Sequence, residues 1–167
     1  MKLSKVLKNV SDILMLFMAI ILILSVINFV VPFNIEIAIM PLSLVIAVCV
    51  FYLLQKKNFE FKDIAVLVII ILVIIILGCI ICGLIYSNDG DGNYYHKVGV
   101  GALKEGWNPF QESVQDFAGH FFNTTDVDYN AIWVDHYGKA SWMIAASFYS
   151  LTGNIECGKI YNILGLI

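Results

Sequence analysis

Three apolar runs dominate the first half of the sequence, and each is close to the length that a helix needs to cross a bilayer. They cover residues about 13–31, 37–54 and 64–85, and the third is almost unbroken isoleucine, leucine and valine. A hydrocarbon core about 30 Å thick requires roughly 20 residues of helix. In lipid, a single segment satisfies its own backbone hydrogen bonds only as a helix. We therefore expect an all-α membrane protein with three N-terminal transmembrane helices.

The composition agrees with this class of protein. Hydrophobic residues make up 60% of the chain and charged residues 14%, against about 25% charged residues in soluble domains. The lipid bilayer is therefore an expected partner, and we expect no nucleic-acid partner. The sequence contains no arginine, so a phosphate group would have to be bound by lysine, which acts as a point charge.

Lysines indicate the orientation of the chain. They are concentrated in Met1–Asn9 and Gln55–Asp63, whereas the connection between the first two apolar runs has none. The positive-inside rule places both lysine-bearing segments, and with them the N-terminus, in the cytoplasm. We expect a multi-pass protein of the cell membrane with a transmembrane region at 1–86, an extracytoplasmic loop at 87–153 and the start of a further transmembrane helix at 154–167.

The loop 87–153 shows three shorter helical patterns. They cover residues about 93–105, 111–122 and 139–151, and glycine or proline follows the first and third. The second has an apolar and aromatic face opposite its acids, which suits a helix at the membrane interface or one packed on the transmembrane helices. The third is too apolar for open water, and we expect it to re-enter or skirt the membrane.

Acidic side chains lie directly after the third apolar run. Asp89 and Asp91 belong to the segment Asp-Gly-Asp-Gly-Asn, which Tyr95 and His96 follow closely. An EF-hand counted from Asp89 fails, because tyrosine and valine occupy the positions that need glycine and glutamate. A looser divalent-cation site on Asp89 and Asp91 stays open, as does a general base with a nearby cation, or a plain Asp-Gly turn. The position at the end of a membrane helix favours a functional role.

A second polar group follows about forty residues later. His136, Tyr137 and Lys139 would face Asp91 across a cleft if the loop folds back on itself. The cation would then come from His96, Lys97 or Lys139, and two histidines with a carboxylate also leave a zinc site open. The three tryptophans are expected at the membrane interface, where Trp107 could alternatively stack on a sugar ring; they are Trp107, Trp133 and Trp142.

Four motifs in this region resemble the first outer loop of bacterial GT-C membrane glycosyltransferases, which are similar to dolichyl-phosphate-mannose-dependent mannosyltransferases. The resemblance covers about residues 64–167. It implies a polytopic enzyme that uses a polyprenyl-phosphate-linked sugar, with Asp91 as the catalytic acidic residue and Asp89 second. It also implies substrate-binding roles for Tyr95, His96, Trp107, Asn108, His136, Tyr137 and Lys139. The motifs are Asp-Gly-Asn-Tyr-Tyr-His, Gly-Trp-Asn-Pro-Phe, Trp-Val-Asp-His-Tyr-Gly-Lys-Ala and Tyr-Ser-Leu-Thr-Gly-Asn-Ile-Glu-Cys-Gly-Lys.

Two functions remain open at this point. The first is an integral membrane glycosyltransferase, or its N-terminal portion, that transfers a sugar to an envelope glycan or lipid acceptor at the outer face. The second is a non-catalytic membrane scaffold or transporter fragment whose outer loop binds a partner or a cation. The acidic motif here follows the third apolar run, whereas GT-C enzymes commonly place it after their first helix. They also have many more spans than 167 residues can hold.

Overall fold

Most of the chain is helical in the part that the structure describes. A computed structural model describes residues 3–31, 36–57, 59–86, 95–122 and 131–167, and no β-strand occurs among them. Three of the helices are long and apolar enough to cross a membrane, which confirms the predicted all-α membrane fold. The helices are α1 (Leu3–Val30), α2 (Glu36–Gln55), α3 (Phe61–Leu84), α4 (Lys97–Lys104), α5 (Val114–Phe122), α6 (Ala131–His136), α7 (Ala140–Thr152) and α8 (Ile160–Leu164), with a 3-10 helix at Ile155–Lys159.

The spanning helices extend past the apolar runs because polar residues support their ends. In the first turns of α1, Lys8 pairs with Asp12 at 2.9 Å, one helical turn away. At the start of α3, the Asp63 carboxylate accepts a hydrogen bond from the backbone N–H of Glu60 at 3.1 Å. An acidic group at this position satisfies a free backbone N–H and interacts favourably with the positive end of the helix dipole.

The three spans run antiparallel to their neighbours and define two ends of a bundle. At the lower end, the Phe59 ring before α3 meets Phe51 of α2 at 5.8 Å and lies under the Lys5 ammonium of α1. At the upper end, α1 and α3 finish and α2 begins, and Asn28 donates a hydrogen bond to Glu36 across the α1–α2 connection. All the shorter helices pack at this upper end.

Helix α7 lies inside the bundle and organises the upper end. Its residues from Trp142 to Phe148 are buried, and the Phe148 ring meets Phe17, near the middle of α1, edge to face at 6.1 Å. The expected course of α7, which re-enters or skirts the membrane, stays a prediction. The helix ends at Gly153, whose φ of 68° is the left-handed conformation that commonly closes helices.

The segment after α7 returns along α3. A Cβ placed on Gly78 would lie 2.8 Å from Cδ1 of Ile160, so α8 packs directly on the backbone of α3. This course agrees with the expected start of a further transmembrane helix at 154–167, which stays a prediction.

Much of the spanning surface is not covered by the chain itself. Within the most apolar window of each span, 28% of the residues are buried. Between α2 and α3 lies an apolar groove of about 710 Å³, lined by residues such as Val48 and Leu72 and closed at one side by Phe148. These surfaces are suited to lipid or to other helices.

Candidate functional site

The two predicted catalytic and metal-binding residues, Asp89 and Asp91, lie outside the described residues, so their roles stay predictions. The structure does describe the residues that flank them in sequence. Helix α3 ends at Leu84, and the chain is described again from Tyr95, at the turn that opens α4.

Tyr95, His96, Tyr137 and Trp142 form an aromatic cluster at the upper end of the bundle. The rings of Tyr95 and Tyr137 stack with centroids 4.9 Å apart and planes 6° from parallel. His96 lies 4.5 Å from Tyr95 and 5.6 Å from Trp142 between ring centroids. The structure therefore brings together the polar groups before α4 and after α6, as the folded-back loop requires.

A hydrogen bond orients the His96 ring. The indole Nε1 of Trp142 lies 2.8 Å from Nδ1 of His96. An indole N–H can only donate, so Nδ1 of His96 accepts this hydrogen bond. The bond holds the imidazole ring against Trp142, and the role of His96 as one of three possible cations stays a prediction.

Lys139 is held at the start of α7 by carbonyl oxygens and aromatic rings. Its ammonium donates to the backbone oxygens of Asp135 at 2.8 Å and Tyr137 at 2.6 Å. It also lies 5.7 Å from the Trp107 ring centroid and 5.6 Å from that of Trp142. Burial lowers the pKa of Lys139, and the nearby Asp135 carboxylate opposes this only in part. These contacts tie α6 to α7, and its predicted contact with substrate stays a prediction.

Asp135, two residues before Tyr137, contacts the start of α5. The Asp135 carboxylate accepts a hydrogen bond from the N–H of Val114 at 2.9 Å, and the Ser113 hydroxyl accepts one from the N–H of Asp116 at 3.0 Å. Helix α5 begins at Val114, whereas the sequence pattern predicts a start at Gln111. His136 ends α6 with an exposed side chain.

Trp107 and Asn108 hold the α4–α5 connection in place. The Trp107 side chain is fully buried, and its Nε1 donates to the carbonyl oxygen of Glu112 at 3.1 Å. The Asn108 amide donates to the carbonyl oxygen of Phe29, at the end of α1, at 2.7 Å. This geometry favours structural roles for both residues over the predicted contacts with substrate. Trp142 is also interior, whereas Trp133 is exposed.

A second charged group, which the sequence reasoning missed, lies beside the aromatic cluster. The buried carboxylate of Glu156 contacts the ammonium groups of both Lys97 and Lys159. Burial acts to raise the pKa of Glu156, but hydrogen bonds and charge from Lys159 and Lys97 outweigh it, and the pKa lies below its ordinary value. The available signal was a pair of opposite charges, Glu156 and Lys159, within an otherwise apolar C-terminal segment.

The three charged residues line a cavity of about 220 Å³, which we call the lysine cavity. His96 and Trp142 of the aromatic cluster also line it. The lysine cavity and the aromatic cluster are therefore parts of one site at the upper end of α3. Within the part of the chain that the structure describes, no three histidine, cysteine, aspartate or glutamate side chains are grouped as metal ligands.

Comparison with models of protein families, with curated proteins and with solved structures finds no match to this chain.

Proposed function

We propose that the chain is an integral membrane glycosyltransferase, or the N-terminal portion of one, acting at the extracytoplasmic face of the cell membrane. It would transfer a sugar from a polyprenyl-phosphate-linked donor to an envelope glycan or lipid acceptor. The observation that carries this proposal is the single site formed by the aromatic cluster and the lysine cavity. The site lies where α3 ends, which supports a position near the membrane surface if α3 spans the bilayer.

The transfer needs a base, a sugar platform and compensation for the leaving phosphate. Asp91, a few residues before Tyr95 in sequence, is the proposed base that takes the acceptor hydroxyl proton. The acceptor oxygen then bonds to the anomeric carbon, while the bond from that carbon to the phosphate oxygen breaks and releases the polyprenyl phosphate. The stacked rings of Tyr95 and Tyr137 offer an apolar face with polar edges, which suits a sugar ring.

The test is transfer of labelled sugar from polyprenyl-phosphate donors in membranes that contain the full-length protein. Loss of a positioned general base lowers the rate by about 10²–10⁴-fold, and we expect this for Asp91→Asn. The matched control is Asp12→Asn, which changes a half-buried aspartate on α1 far from the upper end. Transfer by Asp91→Asn at the control rate would remove Asp91 from the mechanism.

The sidedness of the site is tested separately. A cysteine introduced by Ser87→Cys should react with a membrane-impermeant thiol reagent added outside intact cells, compared with the parent protein. Reaction only after the reagent reaches the cytosol would place the loop on the wrong side and contradict the proposed reaction at the outer face.

A second candidate is a non-catalytic membrane scaffold or transporter segment. The apolar groove between α2 and α3 favours it, because a groove of about 710 Å³ can take a helix of a larger assembly. Under this candidate, full-length protein transfers no sugar from any polyprenyl-phosphate donor.

A further inference from the structure

Among the residues that the structure describes, the lysine cavity brings two lysines to one buried acid. One lysine would neutralise the Glu156 carboxylate, yet both Lys97 and Lys159 contact it. The three groups together carry one net positive charge. The Glu156 side chain is 5% exposed, whereas those of Lys97 and Lys159 are 20% and 32% exposed, so the ammonium groups are the part of the group that a ligand can reach.

The carboxylate also holds the two lysines in fixed positions. Lys97 comes from the first turn of α4, and Lys159 ends the 3-10 helix after α7. Their side chains meet on opposite oxygens of one buried carboxylate. Lysine side chains lose much rotamer freedom when they are fixed, and here folding has already restricted them. A ligand that contacts both ammonium groups therefore loses less binding free energy, because the two lysine side chains do not have to be ordered when it binds.

The depth of the cavity indicates what kind of anion it suits. The Lys159 ammonium donates to the carbonyl oxygen of Ile85 at 2.7 Å, just after α3 ends. A helix such as α3, with 24 residues, is about 36 Å long, slightly more than the hydrocarbon thickness of about 30 Å. The cavity therefore lies at the boundary between hydrocarbon and water, where the phosphate groups of lipids are found.

The walls of the cavity suit an amphiphile as well. Besides the charged residues, the lining includes the Trp142 and Tyr161 rings and the side chains of Val100 and Ile155. Lysine ammonium groups bind a phosphate as point charges, and the apolar side chains beside them suit the hydrocarbon that is attached to a lipid phosphate. A free phosphate ion would gain the charge contacts but nothing from the apolar walls.

We propose that Lys97 and Lys159, held by Glu156, form the binding site for the phosphate group of a membrane amphiphile, with polyprenyl phosphate as its ligand. The choice of a polyprenyl chain rests on the proposed function, whereas the recognition of a lipid-borne phosphate rests on the cavity. In this arrangement Glu156 is a positioning residue, because it acts through the two lysines.

Binding to the full-length protein in phosphatidylcholine nanodiscs tests the site without any transfer reaction. The probes are a polyprenyl monophosphate, the corresponding uncharged polyprenol and inorganic phosphate. We expect the monophosphate to bind at least about tenfold more tightly than the polyprenol, the difference that one charge-assisted hydrogen bond gives. We expect inorganic phosphate to compete far more weakly than the lipid. Equal binding of phosphate and alcohol would overturn the proposal, and full competition by dilute inorganic phosphate would show a soluble anion to be the ligand.

Two lysine substitutions locate the binding. Lys97→Gln and Lys159→Gln should each weaken binding of the monophosphate by about tenfold or more, and Lys97→Arg should restore most of it. The matched control is Lys104→Gln on the same helix, because Lys104 pairs with Glu105 and does not line the cavity. Unchanged affinity in both cavity variants would refute the site.

A measurement on the unaltered protein tests the same site even if the lysine variants fail to fold. Bound polyprenyl monophosphate should protect Lys97 and Lys159 from acetylation, measured by mass spectrometry, and leave Lys104 reactive. Equal protection of all three lysines would contradict the site. Binding at the two lysines without any sugar transfer would refute the proposed function and leave the site standing. Sugar transfer retained in both Lys97→Gln and Lys159→Gln would refute the phosphate site and leave the proposed function standing.

Discussion

Replacing Gly99 by alanine tests the packing of α7 against α4, on which the whole site depends. A Cβ at Gly99 would lie 2.6 Å from Cε3 of Trp142, well inside the usual carbon–carbon separation of about 3.5–4.0 Å. The indole would have to move, although its side chain is 2% exposed and its Nε1 is bonded to His96. The substitution therefore strains the aromatic cluster directly.

Gly101 on the same helix provides the matched control, because a Cβ there meets nothing within 4 Å. Either alanine gains about 0.5–1 kcal/mol from helix propensity. At Gly99 this gain is opposed by overpacking, which costs about 1–3 kcal/mol, and by the strained indole hydrogen bond, worth about 0.5–1.5 kcal/mol. We expect Gly99→Ala to be less stable than Gly101→Ala by about 1.5–4.5 kcal/mol, which is at least about tenfold in the folded-to-unfolded ratio.

The assay is reversible unfolding of the purified protein in detergent, followed by tryptophan fluorescence. Gly101→Ala should be at least as stable as the parent protein, and Gly99→Ala should be less stable than it. Equal stability of the two variants would show that Trp142 does not press on the α4 backbone, and the site as described would be refuted.

Three further substitutions test other parts of the bundle. The pKa of Glu156 in the folded protein lies below its ordinary value of 4.5. Its ionised carboxylate therefore stabilises the fold above pH 4.5, and this stabilisation is lost as the pH falls through the folded-state pKa. Glu156→Gln should remove this acid dependence from unfolding curves measured at a series of pH values. Asn108→Ala should lower the free energy of unfolding by about 1 kcal/mol by removing the bond to Phe29, and an unchanged value would contradict that tie. Phe148→Ala should cost about 3–5 kcal/mol because the ring is fully buried, whereas Leu151→Ala, at a residue 43% exposed, should cost much less in the same unfolding assay.

The spans could be predicted from the sequence because their signal is local. Each apolar run is long enough to cross a bilayer, and the helices follow within a few residues of the expected bounds for α2 and α3. The apolar run predicts that α1 begins at about residue 13, whereas the helix begins at Leu3. Its first turns are polar and are supported by the Lys8–Asp12 pair. Hydropathy alone does not register such turns.

The composition of the site could be predicted in part, but its internal contacts could not. The sequence predicts that His136, Tyr137 and Lys139 face Asp91 if the loop folds back. The bond between His96 and Trp142, however, depends on the packing of α7, which no period in the sequence specifies. Trp107 was assigned to the membrane interface because tryptophan is enriched there. Its N–H instead finds the carbonyl of Glu112 inside the protein, which allows the ring to be buried.

The upper end of α3 acquires its hydrogen-bond partners from residues that are synthesised much later. Asn154 donates to the carbonyl oxygen of Gly83, and Lys159 donates to that of Ile85. The last carbonyls of a helix have no partner within the helix itself. The upper end of α3 therefore gains these partners only when the segment after α7 packs on it, and the same packing brings Lys159 into the lysine cavity.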